Sequence, residues 1–406
     1  MIPFLYRCST CAKIYKRDEV RYLCPSCGKN YRAGLPLVGV LSVEFDYAAI
    51  RKRFKKTSPD WTLFSAVEPE YYPPYPAGGT PLHSVAAFGQ ELGCSNLWIK
   101  NDGLNPSGSL KDRASFLVVA EANRLQEDRV VTASTGNAAS ALAAVCAAAG
   151  KKAVILVPEK APRAKLAQMI LFGARVILID GTYDDAFELS LEFTALRGGL
   201  NRNTAYHPLT IEGKKTVGLE ILEQNGFKAP DVIVVPVGDG VILAGVFKAF
   251  ADARAAGLIH KMPRLVSVQA SGSAAIHNYF VTGKYRNADR PATIADSISV
   301  SIPSNAHLAR AAIRDSDGLS VTVSDDEILR GQRLLAEKAG VFAEPAAAVV
   351  VPALRKLRKS NTLNGREQIV LLVTGHGLKD VEAAMRNIQL PRAIPPNFEA
   401  VEKVRL

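Results

Sequence analysis

Short runs of hydrophobic residues recur along the chain from about residue 96 onward and alternate with longer stretches that mix apolar and polar positions. The runs are apolar over most of their length, which is typical of strands buried on both faces of a parallel sheet. They are NLWIK, RVVTAS, KAVILVP, ARVILID, DVIVVPVG, RLVSVQA and QIVLLVTG, starting at Asn96, Arg129, Lys152, Ala174, Asp231, Arg264 and Gln368. Stretches between them, such as AASALAAVCAAAG from Ala138 and SDDEILRGQRLLAEKAG from Ser324, have the pattern of helices. The alternation predicts an α/β fold whose parallel sheets carry helices on both faces.

Length and composition indicate a globular protein with more than one domain. A chain of 406 residues is too long for one small core. Its composition, 48% hydrophobic and 22% charged, is ordinary for such proteins. No apolar run reaches the roughly 18 residues of a membrane span, and the N-terminus MIPFLYRCST lacks the apolar segment of a signal peptide. We therefore expect a cytoplasmic protein without a membrane partner.

The net charge of +11 suggests a nucleic-acid partner, but its distribution argues against one. Residues 1–60 carry +7 of this charge, and the excess lies around RKRFKK, from Arg51 to Lys56. A basic run of this kind is more often the solvated face of a helix than a nucleic-acid site. Net charge by itself is evidence about solubility and non-specific association rather than about a particular partner. We therefore do not expect nucleic acid as a partner.

Four of the six cysteines follow the pattern Cys8-x2-Cys11-x12-Cys24-x2-Cys27. Two close pairs separated by a dozen residues are typical of a tetrahedral zinc site. Unmetallated cysteines or two disulfides are the alternatives, and a cytoplasmic chain disfavours disulfides. The pattern predicts a zinc-ribbon-like module over residues 1–35. Zinc would be structural there, because four thiolates leave no coordination position for catalysis.

Four loops rich in small residues lie beside the predicted strands, where ligands bind in α/β folds. Glycines and free backbone N–H groups at the start of a helix form anion sites. One such loop is weak evidence for a ligand site, because Gly-rich loops after strands are common. Four of them in one chain indicate a more specific kind of site. The loops are SGSLKDR from Ser107, STGNAAS from Ser134, PVGDGVILAG from Pro236 and VTGHGLKD from Val373.

The loop SGSLKDR places an amine at an unfavourable position. The stretch SLKDRASFLVVAEANRL is expected to form a helix with Ser109 as its N-cap, so that Lys111 lies in the first turn. The macrodipole disfavours an ammonium there, and burial disfavours it further. Both effects favour the neutral amine, which is the nucleophilic form. The alternative is an exposed lysine without a role.

Together these segments resemble the fold type II pyridoxal-phosphate (PLP) enzymes, and among them most closely the threonine synthase family. The resemblance covers the chain from about Gly78 onward. It is carried by GGTPLHS (78–84), NPSGSLKDR (105–113), ASTGNAAS (133–140), HPLTIEGKKT (207–216) and TGHGLKD (374–380).

The resemblance implies a domain organisation. Residues 78–406 would form a two-lobed PLP catalytic domain with doubly wound sheets, the smaller lobe at roughly 125–215. Residues 36–77 would form a basic arm and linker between this domain and the zinc ribbon. The Pro/Tyr-rich segment EPEYYPPYPAGGTP, from Glu68, would cross the surface as part of that linker.

The resemblance also assigns roles to residues that match the family's motifs. Lys111 would hold PLP covalently and act as the catalytic base. Asn137 would bond the 3′-oxygen of the cofactor, and Thr374 would face its pyridine nitrogen. Ser134 and Thr135 would bind the α-carboxylate of the substrate. For Asn137, Ser134 and Thr135, loop capping is the alternative. Residues that would cradle the cofactor phosphate are Gly238, Asp239, Gly240, Val241 and Ile242.

The chain departs from the family's motifs at several positions. The phosphate loop GDGVI places Asp239 near a dianion, which is unfavourable unless the carboxylate points away or pairs with a cation. The segment TIADSISVSIPSN, residues 293–305, differs in a region expected near the site. Glu344-Pro345 is expected to begin a helix at the pocket, and His376 is expected to be structural. Candidate cations for a substrate phosphate, each with a solvated surface position as the alternative, are Lys160, Arg163, Lys165, Lys214 and Lys215.

The predicted function is that of a PLP-dependent lyase of threonine synthase type. Its substrate would be a small phosphorylated amino acid, O-phosphohomoserine, converted with water to threonine and phosphate. Alternatives are a cysteate-synthase-like β-replacement on O-phosphoserine, or a serine/threonine ammonia-lyase. An alternative from another class is a nucleic-acid-binding protein with a vestigial PLP site. The resemblance further implies a homodimer.

Overall fold

The computed structural model describes residues 1–159, 163–386, 388 and 390–404. The strands are β1 Phe4–Cys8, β2 Ile14–Lys16, β3 Leu41–Phe45, β4 Leu82–Ser84, β5 Asn96–Asn101, β6 Arg129–Ala133, β7 Lys152–Pro158, β8 Arg175–Ile179, β9 Leu200–Asn201, β10 Val232–Pro236, β11 Arg264–Ala270, β12 Leu319–Val323 and β13 Gln368–Val373. The helices are α1 Tyr47–Arg53, α2 Ala86–Glu91, α3 Lys111–Arg124, α4 Asn137–Ala148, α5 Arg163–Leu171, α6 Tyr183–Arg197, α7 Leu209–Gln224, α8 Val241–Ala255, α9 Ala275–Thr282, α10 Ala306–Asp315, α11 Asp325–Ala339, α12 Pro345–Ala348, α13 Val350–Lys359, α14 Val381–Met385 and α15 Phe398–Glu402. The predicted strands thus correspond to β5, β6, β7, β8, β10, β11 and β13.

The larger sheet has the strand order β12-β11-β10-β13-β5-β4. Its neighbouring strands run parallel except for the edge strand β4, which is antiparallel to β5. Alternate residues of β10 face different cores. Ile233 and Val235 pack with residues of α7 and α8, whereas Val232 and Val234 pack with residues of α12 and α13. Because successive side chains of a strand point to opposite faces, helices cover both faces, which confirms the predicted α/β fold.

The smaller sheet has the order β8-β7-β6-β9 and is parallel throughout. Its strands also alternate between two cores. In β7, Ile155 packs in the cluster that includes residues of α4, and Leu156 packs in the cluster that includes Phe187 of α6. The carboxyl end of β6 at Ala133 leads into the loop before α4.

An antiparallel sheet of order β2-β1-β3 forms the N-terminal part of the protein. The pairing of β1 with β3 joins residues 1–35 to the segment 36–77, and the predicted domain boundaries remain a proposal. In the basic run, Arg51 donates from Nε and Nη2 to the carbonyl oxygens of Ala256 and Ala255 at the end of α8. Arg51 of the basic run therefore bonds the last carbonyl groups of α8, at the end of a helix where the macrodipole favours a cation.

The Pro/Tyr-rich segment is held against the start of α3. The Tyr75 hydroxyl donates to Asp112 at 2.9 Å, and the Gly78 amide donates to Asn105 at 2.8 Å. The segment therefore buttresses the loop that precedes Lys111. No helix in the described ranges is both long and apolar enough to cross a membrane.

Candidate active site

The four predicted loops meet at one cavity of about 350 Å³. The cavity lies beyond the carboxyl ends of β6, β10 and β13, where α/β folds bind ligands. The structure therefore brings together segments that lie as far apart in the chain as Lys111 and Thr374. Every residue predicted to contact PLP or the substrate α-carboxylate lines it: Lys111, Ser134, Thr135, Asn137, Gly238, Asp239, Gly240, Val241, Ile242 and Thr374.

Lys111 is the first residue of α3 and faces the cavity. Burial lowers the pKa of its ammonium, and the neighbouring Arg202 lowers it further. The carboxyl groups of Glu344 and Asp239 act in the opposite direction, but burial dominates. The environment of Lys111 thus favours the free amine, which is the form that attacks a carbonyl.

The expectation that Ser109 caps α3 is wrong. The N-cap is Leu110, and no side chain caps the helix there. The backbone of Ser109 instead forms a β-bridge with Gly375, and the buried Ser109 Oγ has no hydrogen-bond partner among the described residues. The bridge ties the Lys111 loop to the loop after β13, so the Ser109 backbone aligns two walls of the cavity.

Asn137 begins α4 and is buried. Its Nδ2 donates to both carboxylate oxygens of Glu344, at 2.9 and 3.0 Å. Its Oδ1 is buried without a partner among the described residues. Before it in the chain, Ser134 Oγ accepts a hydrogen bond from the Gly136 amide at 3.2 Å. The loop capping considered as an alternative role is therefore present for Ser134, which also lines the cavity.

Residues 238–242 form the turn between β10 and α8. Gly240 has φ +86° and is the N-cap of α8, a helix of 15 residues. A Cβ on Gly240 would lie 2.6 Å from Ala309 Cβ, so a larger residue would displace the loop. Burial raises the pKa of the Asp239 carboxyl, and the cations Lys214, Lys111 and Arg202 lower it. These positive charges oppose the effect of burial on Asp239, but burial dominates.

The loop after β13 supplies the remaining predicted residue. Thr374 is buried and lines the cavity, and its carbonyl accepts the Leu110 amide at 2.9 Å. His376 Nδ1 accepts the Leu378 amide at 3.1 Å, which confirms the structural role expected for this histidine. Pro345 begins α12 with Glu344 as N-cap, and Glu344 lines the cavity as expected.

The two candidate lysines on α7 are both buried, so the alternative of solvated surface positions is wrong for them. Lys215 does not line the cavity. Its ammonium bonds the carbonyl of Phe64 at 2.9 Å and pairs with Glu212 and Asp252. Lys214 does line the cavity. Lys160 lies outside the described residues, as do the side chains of Arg163 and Lys165.

The segment 293–305 lies at the site as expected, since residues 296–301 line the cavity. Sequence reasoning missed several residues that follow strands of the smaller sheet. Tyr183 and Thr204 line the cavity, and the fully buried Arg202 donates from Nη1 to the Thr204 hydroxyl at 3.1 Å. They follow β8 and β9, so the rule that ligands bind beyond strand ends could have found them once β9 was recognised.

The four N-terminal cysteines form a separate cluster. Their sulfur atoms all lie within 4.8 Å of one another. The Sγ atoms of Cys11 and Cys24 are 3.8 Å apart, close to the roughly 3.8 Å expected when four thiolates surround zinc at about 2.3 Å. The amides of Thr10 and Cys11 point at Cys8 Sγ, at 3.4 and 3.5 Å. The cluster is compatible with the predicted zinc ribbon.

Comparison with known proteins agrees with this geometry. The family described as "Pyridoxal-phosphate dependent enzyme" matches residues 73–375. The chain is 35% identical to the threonine synthase of Methanocaldococcus jannaschii, with 98% of this chain and 99% of that one covered. It is 34% identical to the threonine synthase of Methanosarcina acetivorans, covering 98% and 97%. Maize serine racemase superposes with a TM-score of 0.64 at 26% identity, covering 73% of this chain and 88% of that one. The chain therefore belongs to the pyridoxal-phosphate-dependent enzymes and, within them, to the threonine synthase family, and it is a threonine synthase-like lyase as its loops predicted.

Proposed function

We propose that PLP binds in the cavity between the two sheets, and the residues present there fit it. Lys111 offers an amine whose pKa burial lowers. Asn137 offers a buried side-chain amide at the cavity, whose Nδ2 group can donate to a ring oxygen. Gly240 leaves space at the start of α8 that a Cβ would fill. An amine, a polar contact for the ring and a backbone cradle for an anion are what this cofactor requires.

Each group of cavity residues would hold a different part of the cofactor. Lys111 would bind the aldehyde carbon, Asn137 the 3′-oxygen and Thr374 the pyridine nitrogen. The backbone N–H groups of residues 238–242 would bind the phosphate at the N-terminus of α8. A hydroxyl at Thr374 does not force protonation of the ring nitrogen as a carboxylate would, which favours elimination and replacement over transamination.

We propose that the reaction converts O-phosphohomoserine and water to threonine and phosphate. The C–O bond at the γ carbon breaks and phosphate leaves. The β carbon loses one hydrogen as a proton and gains the hydroxyl of water, and the two protons released go to the γ carbon and to the phosphate. The observation that carries this choice of substrate is the likeness to two threonine synthases over 98% of the chain. PLP when bound supplies an electron sink for the carbanion formed at the α carbon.

The chain's own residues would orient the substrate and move its protons. Lys111 as a free amine would accept the proton of the α carbon, since burial keeps its pKa low. The hydroxyls of Ser134 and Thr135, with the amides of their loop, would bind the α-carboxylate. Residues 296–301, which line the same cavity, would shape the space for the rest of the substrate.

We further propose that Cys8, Cys11, Cys24 and Cys27 hold a structural zinc ion. Four thiolates at these separations match a tetrahedral site with no position left for a substrate. A zinc-thiolate site persists in a reducing compartment, which supports a cytoplasmic location. The resemblance to the family supports a homodimer, which analytical ultracentrifugation would test.

The experiment that tests the function is product analysis with O-phosphohomoserine and the PLP-loaded full chain. Threonine and phosphate should appear in equal amounts. Lys111→Ala should retain no cofactor absorbance after dialysis, whereas Lys228→Ala, at an exposed lysine after α7, should retain it. Turnover of O-phosphoserine but not O-phosphohomoserine would overturn the substrate, and unchanged absorbance of Lys111→Ala would overturn the role of Lys111.

A further inference from the structure

A buried lysine that the proposed chemistry does not use lies on the wall of the cavity. Lys214 is 1% exposed and lines the same cavity as residues 238–242. No hydrogen bond or ion pair joins its Nζ to another of the described residues. Lys215, the next residue, is equally buried but has partners on two helices. An unpaired buried cation facing a cavity is costly unless a ligand brings the counter-charge.

Lys214 lies where α7 packs against the first turns of α8. A Cβ on Gly245 would lie 3.0 Å from Lys214 Cβ, so the two helices are in close contact at these positions. Gly245 lies just over one turn from the start of α8 at Val241. The stem of Lys214 therefore begins beside the first turns of α8, within reach of the anion site that Gly240 caps.

The loop at the start of α8 has few side-chain donors for an anion. Val241 and Ile242 are apolar, and Asp239 carries a carboxyl. If the backbone N–H groups were the only donors, they would have to offset the negative charge of both the ligand and the Asp239 carboxyl. A cation from outside the loop would supply the charge that the loop lacks.

We propose that Lys214 binds the phosphate of PLP as an ammonium and supplies the counter-charge that the GDGVI loop does not. The inference rests on the proposed binding of the cofactor. It identifies Lys214 as a residue that binds the phosphate directly.

The electrostatic surroundings of Lys214 agree with a role that depends on an anion. Burial lowers the pKa of its ammonium well below the ordinary value, and Arg202 and Lys111 lower it further. Among the charged groups around it, the Asp239 carboxyl raises the pKa of Lys214. A phosphate dianion beside Nζ would favour the ammonium form again. Binding of the cofactor and protonation of Lys214 would therefore support each other.

The test compares PLP with pyridoxal, which has the same ring and aldehyde but no phosphate. Both are titrated into the cofactor-free full chain and followed by absorbance. Lys214→Met should weaken PLP by about 10- to 100-fold, the range for a lost charge-assisted hydrogen bond, and leave pyridoxal nearly unchanged. Lys214→Arg should recover part of the loss, and Lys228→Met is the surface control.

A second readout follows the phosphate directly. The ³¹P resonance of bound PLP should change its pH dependence in Lys214→Met, because losing a neighbouring cation raises the phosphate pKa. Equal weakening of PLP and pyridoxal would overturn the inference, since a packing defect acts on both. Unchanged PLP affinity with weaker binding of O-phosphohomoserine would also overturn it and assign Lys214 to the substrate phosphate. Neither readout depends on turnover, so failure of this inference can be distinguished from failure of the proposed reaction.

Discussion

Asn137 and Glu344 are joined across the cavity by hydrogen bonds from Nδ2 to both carboxylate oxygens. Asn137 begins α4, which follows β6 of the smaller sheet, and Glu344 is the N-cap residue of α12, which packs against the larger sheet. The Glu344 carboxylate also raises the pKa of Lys111, against the dominant effect of burial. The Glu344 carboxylate therefore bonds Asn137, the residue proposed to contact the cofactor ring, and also stabilises the ammonium form of Lys111.

Removing this charge should change the pH at which Lys111 is reactive. Glu344→Gln should lower the pKa of Lys111 further, because the carboxylate that stabilises the ammonium is gone. The pH of half-maximal PLP rebinding to the cofactor-free chain should therefore shift downward. Ser297→Ala is the matched control, since it removes a contact of Asn137 and Glu344 without changing a charge. An unshifted midpoint in Glu344→Gln would contradict the electrostatic coupling.

A methyl group at Gly240 should disrupt the phosphate loop. Gly240→Ala would strain a backbone at φ +86° and bring Cβ to 2.6 Å from Ala309 Cβ. We expect PLP affinity to fall by about tenfold or more, because the loop must move by several tenths of an ångström or further. The fall is measured by equilibrium dialysis of the cofactor.

Gly226→Ala provides the control for Gly240→Ala. It also has positive φ, +64°, but no atom lies within 4 Å of its added Cβ. It lies after α7, away from the residues that line the cavity. It should cost about 1 kcal/mol of stability and leave PLP affinity unchanged. A similar loss of affinity in both variants would show that backbone strain alone, rather than the site, is responsible.

The sequence predicted the parts of this fold and site that depend on contiguous patterns. The strands of the two parallel sheets are continuous apolar runs because both faces are buried, and Lys111 lies in a contiguous motif. Arg202 could not be predicted in this way, because β9 before it spans two residues. Lys215 was a candidate for a substrate phosphate, with a surface position as the alternative. Its buried pairing could not be predicted, because its partner Asp252 lies 37 residues away on α8. Pairing of buried charges between helices leaves no periodic signal in the sequence.

Loss of the proposed zinc site should act on the N-terminal sheet more than on the cofactor. Cys24→Ser should remove zinc and lower the unfolding temperature, since structural zinc contributes directly to folding. The Leu37 amide donates to the Ser304 carbonyl at 3.0 Å, which joins this region to the segment beside the cavity. We expect PLP to stay bound, as measured by absorbance together with metal analysis.

Cys94→Ser is the matched control for zinc loss, because Cys94 is buried and lies outside the cysteine cluster. It should retain zinc in full. If Cys24→Ser released PLP as well as zinc, the module would be part of the cofactor site. If it retained zinc, the assignment of the ligands would be wrong.

Glu220, which pairs with Arg113 and Lys100, should contribute to the acid dependence of stability. Burial raises the pKa of Glu220, but hydrogen bonds and charges from Arg113 and Lys100 outweigh it and lower the value to about 2. A carboxylate whose pKa is lower in the folded protein than the ordinary value near 4.3 stabilises the fold above that pH. Its contribution should therefore be lost as pH falls from about 4.5 toward 2.

Glu220→Gln should remove this dependence. At pH 7 it should cost about 3 kcal/mol, because it leaves the buried Arg113 and Lys100 without one carboxylate. Urea unfolding from pH 7 to pH 3 should show the gap between wild type and variant narrowing as the wild-type carboxylate becomes protonated. The exposed Glu192→Gln should follow wild type throughout. A gap that stays constant with pH would mean that the effect of Glu220 comes from packing rather than from charge.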